Sequence, residues 1–422
     1  MNILIVTIGS RGDVEPFIAL GQALLARGHA VHLCAALRFK SLIERYGLIH
    51  HPLSDDLFKL ADGGVMEKLG NPMSAVKTIY QLTKSAKSIN LQMMADSIAA
   101  GFAAQPDLVI FHPKSLAAVS LADKLGVPAI MALLQPMIVP TKAFPPAGLP
   151  DLGGYLNRVS YRLIDMGYRQ YIHELNKLRA TLLHLEPLEK NSGVFHRSDR
   201  QEVPRLHAFS QHLVSRPTDW PENAVLTGNW SLSIDQDDYK PPKALIQFLE
   251  SSQAPIYIGF GSMAGRDPKQ LTQTIIHSVS KAKLRAVIAT GWGGLSAEAV
   301  PENMLIIDSA PHSWLFPRVA AVVHHGGAGT TMAGLKAGKP SLICPFFADQ
   351  PFWGKTIYNN NLGPKPIKQK HLNVDTLTPA LVDLTTNKSY QRYAAKLEKQ
   401  LNIEDGLVNA IHWLETHGYL SR

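Results

Sequence analysis

"VVHHGGAGTTMAGLKAGKP", residues 322–340, ends an apolar run on two histidines and then sets Gly326, Gly327 and Gly329 before an amphipathic stretch. Ala320–Val323 reads as a buried strand, and Thr330–Ala337 as a helix closed by Gly338 with Pro340 beyond it. The glycines therefore occupy a strand-to-helix turn at the carboxyl end of a parallel strand. There an anion can approach the backbone closely, met by free amides and the positive end of the helix dipole. Thr330 and Thr331 add hydroxyl donors. The turn is not a Walker A loop, because Gly338-Lys339 is followed by Pro340 and Ala333 stands where its first glycine belongs. Nor does it spell GxGxxG, so ATP and NAD both lose support. A metal needs converging ligands, whereas adjacent strand residues such as His324 and His325 point to opposite faces. No CxxC, HExxH or His-x-His cluster supplies others, and Asp235-Gln236-Asp237 reads as a solvated turn. Taken alone, the stretch also fits a structural turn with one core histidine.

Two neighbouring strand ends narrow the choice. "CPFFADQPFWGK" (344–355) again runs from strand into helix. Asp349 could cap that helix, or Asp349 and Gln350 could present an acceptor and an amide to adjacent sugar hydroxyls. "YIGFGSM" (257–263) brings a third strand to a turn that offers Ser262 to a phosphate. Phosphate, phosphate and polyol chemistry at three strand ends has a common ligand, a nucleoside diphosphate sugar.

The whole chain repeats this grammar. Short apolar runs alternate with amphipathic stretches, the pattern of parallel sheets covered by helices. Strands are expected at Asn2–Ile8, Ala30–Ala35, Asp107–Phe111, Ala129–Leu134 and Arg205–Ser210, then at Ile256–Phe260, Arg285–Thr290, Met304–Asp308, Ala320–His324 and Ser341–Phe346. A segment rich in proline, aspartate and asparagine, 216–243, reads as a linker. The expected organisation is a first domain over 1–215, the linker, a second domain over 244–388 that carries the three strand ends above, and a C-terminal helix over 389–422 that returns to the first domain. The fold class is thus α/β, two doubly wound domains facing across a cleft, and ligands of such sheets bind beyond the strands' carboxyl ends.

At 422 residues, 45% hydrophobic and 18% charged, the chain has the composition of an ordinary globular protein of two domains. No apolar run is long enough to cross a bilayer. The first residues read as a strand, not a signal peptide. Cys34 and Cys344 are too few and too far apart for a disulfide framework. A cytoplasmic location is expected, with peripheral contact at the inner face of a membrane compatible with the charge. The net charge of +8 favours anionic partners, but no arginine-rich tract or ribonucleoprotein motif points to nucleic acid.

"SAPHSWLFPRVAAVVHHGGAGTTMAGLKAGKPSLICPFFADQPFWG" (309–354) resembles the donor-binding signature of family 1 glycosyltransferases. It is most similar to the sterol 3-beta-glucosyltransferase-like branch, with glycopeptide-antibiotic and rhamnolipid glycosyltransferases as cousins. "IGSRGDVEPFIALGQALLARGH" (8–29) resembles the N-terminal signature of the same branch. The resemblance implies a GT-B fold and an inverting, metal-independent transfer from a nucleotide sugar, with no cofactor. By position, His324 would contact the diphosphate, helped by Ser262, Gly326, Gly327, Ala328, Gly329 and Thr330. Ala310, Pro311, His312 and Trp314 would seat the base, commonly uracil. Asp349 and Gln350 would read the sugar hydroxyls, a pair that favours UDP-glucose and leaves dTDP sugars open.

The loop Gly9–Asp13 lies between the first strand and a helix expected over Val14–Arg27. Asp13 suits an N-cap, with Glu15 and Pro16 behind it. The resemblance gives it a second role, as the base that deprotonates the acceptor hydroxyl. The histidine of plant enzymes is absent from this loop, and a guanidinium at Arg11 would weaken the carboxylate as a base. Ser10, Arg11 and His112, the last after the strand Asp107–Phe111, are expected toward the acceptor. Residues 55–100 and 136–185 interleave apolar and basic residues, either as ordinary surface helices or as an apolar acceptor groove with a basic rim near a membrane surface. The expected function is glucosyl transfer from UDP-glucose to a hydroxyl of a sterol, hydroxylated lipid or polyketide-like acceptor. Transfer from a dTDP sugar, nucleotide-sugar epimerisation and non-catalytic nucleotide binding are the alternatives.

Overall fold

The computed structural model describes the chain except residues 57–71, 190–191, 200, 233–238, 252, 262–267, 292–299 and 422, with backbone alone over 72–86. Ser262 and the aspartates at 235 and 237 lie outside the described residues. Along the first part of the chain run β1 (Asn2–Val6), α1 (Arg11–Leu25), β2 (Ala30–Ala36), α2 (Lys40–Arg45), β3 (Ile49–Leu53), α3 (Pro72–Ala104), β4 (Leu108–Phe111), α4 (Ala118–Leu125), β5 (Ala129–Leu133), α5 (Gly154–Arg169), α6 (Ile172–Leu178), β6 (Arg205–His207) and β7 (Ala224–Leu226). The strands form one parallel sheet in the order β3-β2-β1-β4-β5-β6-β7. Alternation of side chains along a strand feeds two cores at once. Ile3 and Ile5 enter the core that α1 covers, and Leu4 and Val6 enter the core on the opposite face. A strand buried on both faces reads as one continuous apolar run, which is why β1 is legible in the sequence.

The second part contains α7 (Lys243–Glu250), β8 (Ile256–Gly259), α8 (Pro268–Lys281), β9 (Ala286–Ala289), β10 (Met304–Ile307), α9 (His312–Leu315), β11 (Val322–His324), α10 (Ala328–Lys336), β12 (Ser341–Ile343), α11 (Gln350–Asn359), α12 (Val374–Thr386), α13 (Lys388–Ile403) and α14 (Gly406–Thr416). Its strands are parallel in the order β10-β9-β8-β11-β12. In both sheets the strand order reverses beside the first strand, between β1 and β4 and between β8 and β11. Loops leaving those strands diverge to opposite faces and open a crevice at their carboxyl ends.

Three expectations need correction. β3 was not foreseen: Ile-His-His-Pro-Leu is a half-exposed edge strand, and proline is tolerated there because an edge needs fewer donors. β7 lies inside the segment read as a linker and extends the first sheet past residue 215. The tail is not one helix. α13 packs on α10, the chain turns at Glu404–Asp405, and α14 returns to α1. Asp405 caps α14 through the Leu407 and Val408 amides at 3.1 and 3.0 Å. Gly406 lets α14 cross the chain after β7, where a Cβ would lie 2.5 Å from the Asn229 carbonyl oxygen.

The two sheet units also meet directly. Phe144 packs edge-on against Phe352 at 5.7 Å between ring centres, and Phe209 against Trp353 at 6.2 Å. Asp151 and Lys355 form an ion pair across the same boundary.

Candidate active site

The loop after β1 is built to hold one carboxylate. Gly9 has φ +142°, and a Cβ there would fall 2.1 Å from Asp13 Oδ2, so only glycine leaves room for that side chain to fold back. Ser10, not Asp13, is the N-cap of α1. Asp13 occupies the third helical position, where its Oδ2 accepts from the Ser10 amide at 2.8 Å and the Ser10 hydroxyl at 3.1 Å. The cap expectation is corrected by three residues: the helix begins at Arg11, and Asp13 closes the box from inside. Thr7 Oγ1 donates to the Asp13 carbonyl at 2.8 Å and ties this turn to the strand end.

Oδ1 of Asp13 faces the loop after β4. Lys114 Nζ lies 3.2 Å away and His112 Nε2 3.9 Å away. His112 is buried, and its Nδ1 accepts the Lys114 amide at 3.3 Å. That bond assigns the ring proton to Nε2, the nitrogen nearer Asp13. Burial, and then Lys114, push His112 down to about 3 despite Asp13, so the ring is neutral at physiological pH. For Asp13 burial acts upward, but Lys114, His112 and the Ser10 amide outweigh it and hold the carboxyl below its ordinary 3.8. Arg11 was expected to exert this effect. Its guanidinium instead pairs with Glu15 at 2.6 Å, one helical turn on.

In the second unit the glycine turn joins β11 to α10. Gly326 has φ +93°, and Gly327 is the N-cap of α10, which starts at Ala328, two residues earlier than expected. A Cβ at Gly329 would meet no atom within 4 Å, so the first helical turn opens outward. Thr330 lies on that turn, whereas Thr331 is buried and donates its hydroxyl to the Gly327 carbonyl at 2.9 Å. His324 is fully buried, with Nδ1 accepting the Gly326 amide at 3.1 Å and Nε2 left without a partner among the described residues. Burial, with His325 and His312 nearby, keeps it well below 6.5 and neutral. Its Nε2–H is thus an unspent buried donor of the kind a ligand satisfies. The His324 and His325 rings lie 6.1 Å apart between centres, with their planes at 88°.

His312 stacks on Phe316 at 4.4 Å and is held near 4, by burial first and then by His325 and Arg11. Arg11 of the first unit therefore comes within electrostatic reach of the second. Asp349 shows the same closeness. Its Oδ2 accepts the Trp353 indole N–H at 2.8 Å, and it makes no side-chain cap on α11. Burial raises its pKa, Trp353 opposes this, and both Asp13 and Lys114 are close enough to act on it. Two carboxylates and one ammonium thus converge from the two units.

Curated relatives match almost the whole chain. Two sterol 3-beta-glucosyltransferases of Arabidopsis thaliana are 34% and 35% identical, covering 97% and 99% of this chain and 64% and 68% of their own lengths. The chain belongs to the sterol 3-beta-glucosyltransferase-like family. The corresponding protein of Yarrowia lipolytica is 34% identical over 97% of this chain, which spans only 28% of its length. The Glycosyltransferase family 28 N-terminal domain matches residues 3–143, and the Erythromycin biosynthesis protein CIII-like C-terminal domain matches 276–405. The calicheamicin glycosyltransferase CalG4 superposes with a TM-score of 0.72 over the full length of both chains at 15% identity, which establishes the GT-B fold.

For this family member the structure brings together Ser10, Asp13, His112, His312, His324 and Asp349, along with the turn Gly326–Thr330. Two expected donor residues are otherwise engaged. Gln350 is buried, and its Oε1 accepts the Phe346 and Phe347 amides at 2.7 and 3.2 Å. Its position at the helix start bends the side chain back, so its carbonyl oxygen braces the preceding loop. Trp314 lies against Tyr239 at 5.3 Å and under the Arg318 guanidinium at 4.4 Å. Its ring packs between the segment before α7 and its own helix. Ala310 and Pro311 lead into that helix, and Pro311 is its N-cap. Lys114 was missed. It lies two residues after His112, and the strand order that puts β4 beside β1 is the signal that points to it.

Proposed function

We propose that the chain transfers glucose from UDP-glucose to a hydroxyl of a hydrophobic, sterol-like acceptor, with inversion and without a metal. The reading is carried by the opposition of Asp13, on one side of the crevice, to the α10 amides and the unpartnered His324 Nε2 on the other. The amides of Ala328, Gly329 and Thr330, with His324, receive the diphosphate and stabilise the charge that develops on it as the glycosidic bond breaks. Because His324 is neutral, it donates a hydrogen bond without bringing a cation to the leaving group. Asp349, fixed by Trp353, accepts from sugar hydroxyls, and Gln350 braces the loop that carries it. Asp13 takes the proton of the attacking hydroxyl as the oxygen bonds to the anomeric carbon from the face opposite the nucleotide. His112 and Lys114 position that carboxylate, and Lys114 makes it a weak base. Such a base is sufficient when departure of the diphosphate runs ahead of attack.

The relatives' names support glucose and a sterol. The dTDP alternative draws no support from those names. The test is UDP release from UDP-glucose measured against a panel of sterols, flavonoids and hydroxy fatty acids. Release that depends on an added sterol is expected. Release independent of any alcohol contradicts transfer, and release only from dTDP sugars contradicts the donor.

A further inference from the structure

The helix α5 is turned inside out. Its buried residues are Asn157, Ser160 and Tyr161, all satisfied locally. Asn157 donates to Asp151 Oδ1 at 2.7 Å, the Ser160 hydroxyl donates to the Asn157 carbonyl at 2.6 Å, and the Tyr161 hydroxyl donates to the Phe144 carbonyl at 3.2 Å. Its large apolar side chains point outward instead: Tyr155, Leu156, Leu163 and Met166 are 55–67% exposed, as is Leu152 just before the helix. At 3.6 residues per turn the four helical ones fall on one stripe, which also passes through Val159. Arg158, Arg162 and Arg169 form a row along one edge of that stripe. Asp219 lies 3.4 Å from Arg158 and Asp165 lies 2.7 Å from Arg169, both as surface pairs, while Arg162 has no carboxylate partner among the described residues. An apolar stripe flanked by arginines is the pattern of a helix lying in a membrane interface.

The stripe begins at the mouth of the crevice. Asp151 pairs with Lys355 of the second unit, and a Cβ at Gly148 would lie 3.0 Å from the Ala348 carbonyl oxygen. Beside Ala348, Phe347 is 59% exposed. We propose that this face of α5 docks on an anionic lipid bilayer and presents the crevice to it. The arginine row and the chain's net charge of +8 favour anionic headgroups. Among the described residues nothing in the chain covers the stripe. The purpose given to docking, delivery of a hydrophobic acceptor, rests on the proposed function; the docking itself does not.

Co-sedimentation of the full chain with vesicles of phosphatidylglycerol and phosphatidylcholine, and with phosphatidylcholine alone, tests this. The wild type should bind the anionic vesicles. The double variant Leu163→Glu/Met166→Glu should bind about tenfold or more weakly, since binding scales with buried apolar area. Arg162→Glu should weaken binding to anionic vesicles by about fivefold and leave phosphatidylcholine unaffected. All three proteins should keep the same melting temperature and UDP affinity, which separates docking from folding. No binding by the wild type, or equal binding by the double variant, overturns the proposal. So does a wild-type dimer in sedimentation velocity that the double variant abolishes without any vesicle binding, because the face then belongs to a second copy. Docking without sugar transfer would sustain this proposal while removing the functional one.

Discussion

Lys114 sets the acid limit of the proposed chemistry. Its ammonium favours the charged form of Asp13, so the carboxylate stays basic further into acid than an isolated aspartate. The sign for stability is the same: the depressed pKa contributes above the ordinary 3.8 and its contribution is lost as pH falls through the native value. Lys114 is 46% exposed, so that contribution is small. Replacing it should act on catalysis instead. In Lys114→Met the acid limb of the pH–rate profile should move to higher pH with the fold intact, and an unmoved limb would show that the lysine does not govern Asp13. His324 carries a second residue-scale prediction. A hydrogen bond to a charged group contributes about 1.5–3 kcal/mol, so His324→Ala should weaken UDP binding by roughly ten- to a hundredfold in calorimetry. Unchanged affinity would place the diphosphate elsewhere. Trp353→Phe keeps an aromatic ring in the core but removes the donor on Asp349 Oδ2. Glucose transfer should then fall while UDP binding holds.

At the scale of elements, two glycines are where backbone and function meet. Gly9→Ala should mimic loss of Asp13 without touching it, because the new Cβ would occupy the carboxylate's place. A fall in transfer of about a hundredfold or more is expected, the size of general-base assistance. Gly406→Ala crowds the crossing of α14 over Gly228 and Asn229, and overpacking of this kind costs about 1–3 kcal/mol. The midpoint of chemical unfolding should drop while UDP affinity stays. The same contrast explains what could be read from the sequence. Strands written as apolar runs announce themselves, so β1, β2, β4 and β5 and the strands of the second sheet, its edge strands β10 and β12 included, were foreseen near their observed ends. Edge strands of mixed composition do not: β3 carries two histidines and a proline, and β7 is three residues in a proline-rich stretch. The glycine turn was legible because its chemistry is local to one strand end. The clamp on Asp13 was not, since Lys114 lies 101 residues away and meets it only through sheet order. The bracing of the loop by Gln350 Oε1 was not legible either, because sequence gives a residue's chemistry and not which way its side chain turns.

The whole molecule works by opposing two similar halves. Each sheet reverses its order beside its first strand, and in the proposed mechanism one crevice supplies a carboxylate from the start of α1 and the other the free amides of α10. The aromatic contacts of Phe144 and Phe209 with α11 set the distance between them. In the proposed site the phosphate charge is met by amides and a neutral histidine, so transfer should survive EDTA; loss restored by magnesium or manganese would contradict a metal-free site. The central claim is that Asp13 is the base, and one variant tests it most directly. Asp13→Asn keeps an oxygen to accept the Ser10 amide, so the start of α1 should persist and the melting temperature should stay within a few degrees. UDP binding, which belongs to the opposite unit, should be unchanged. Sterol glucoside formation at saturating UDP-glucose and sterol should nevertheless fall by about 10²–10⁴. Wild-type turnover in this folded, UDP-binding variant would contradict the account.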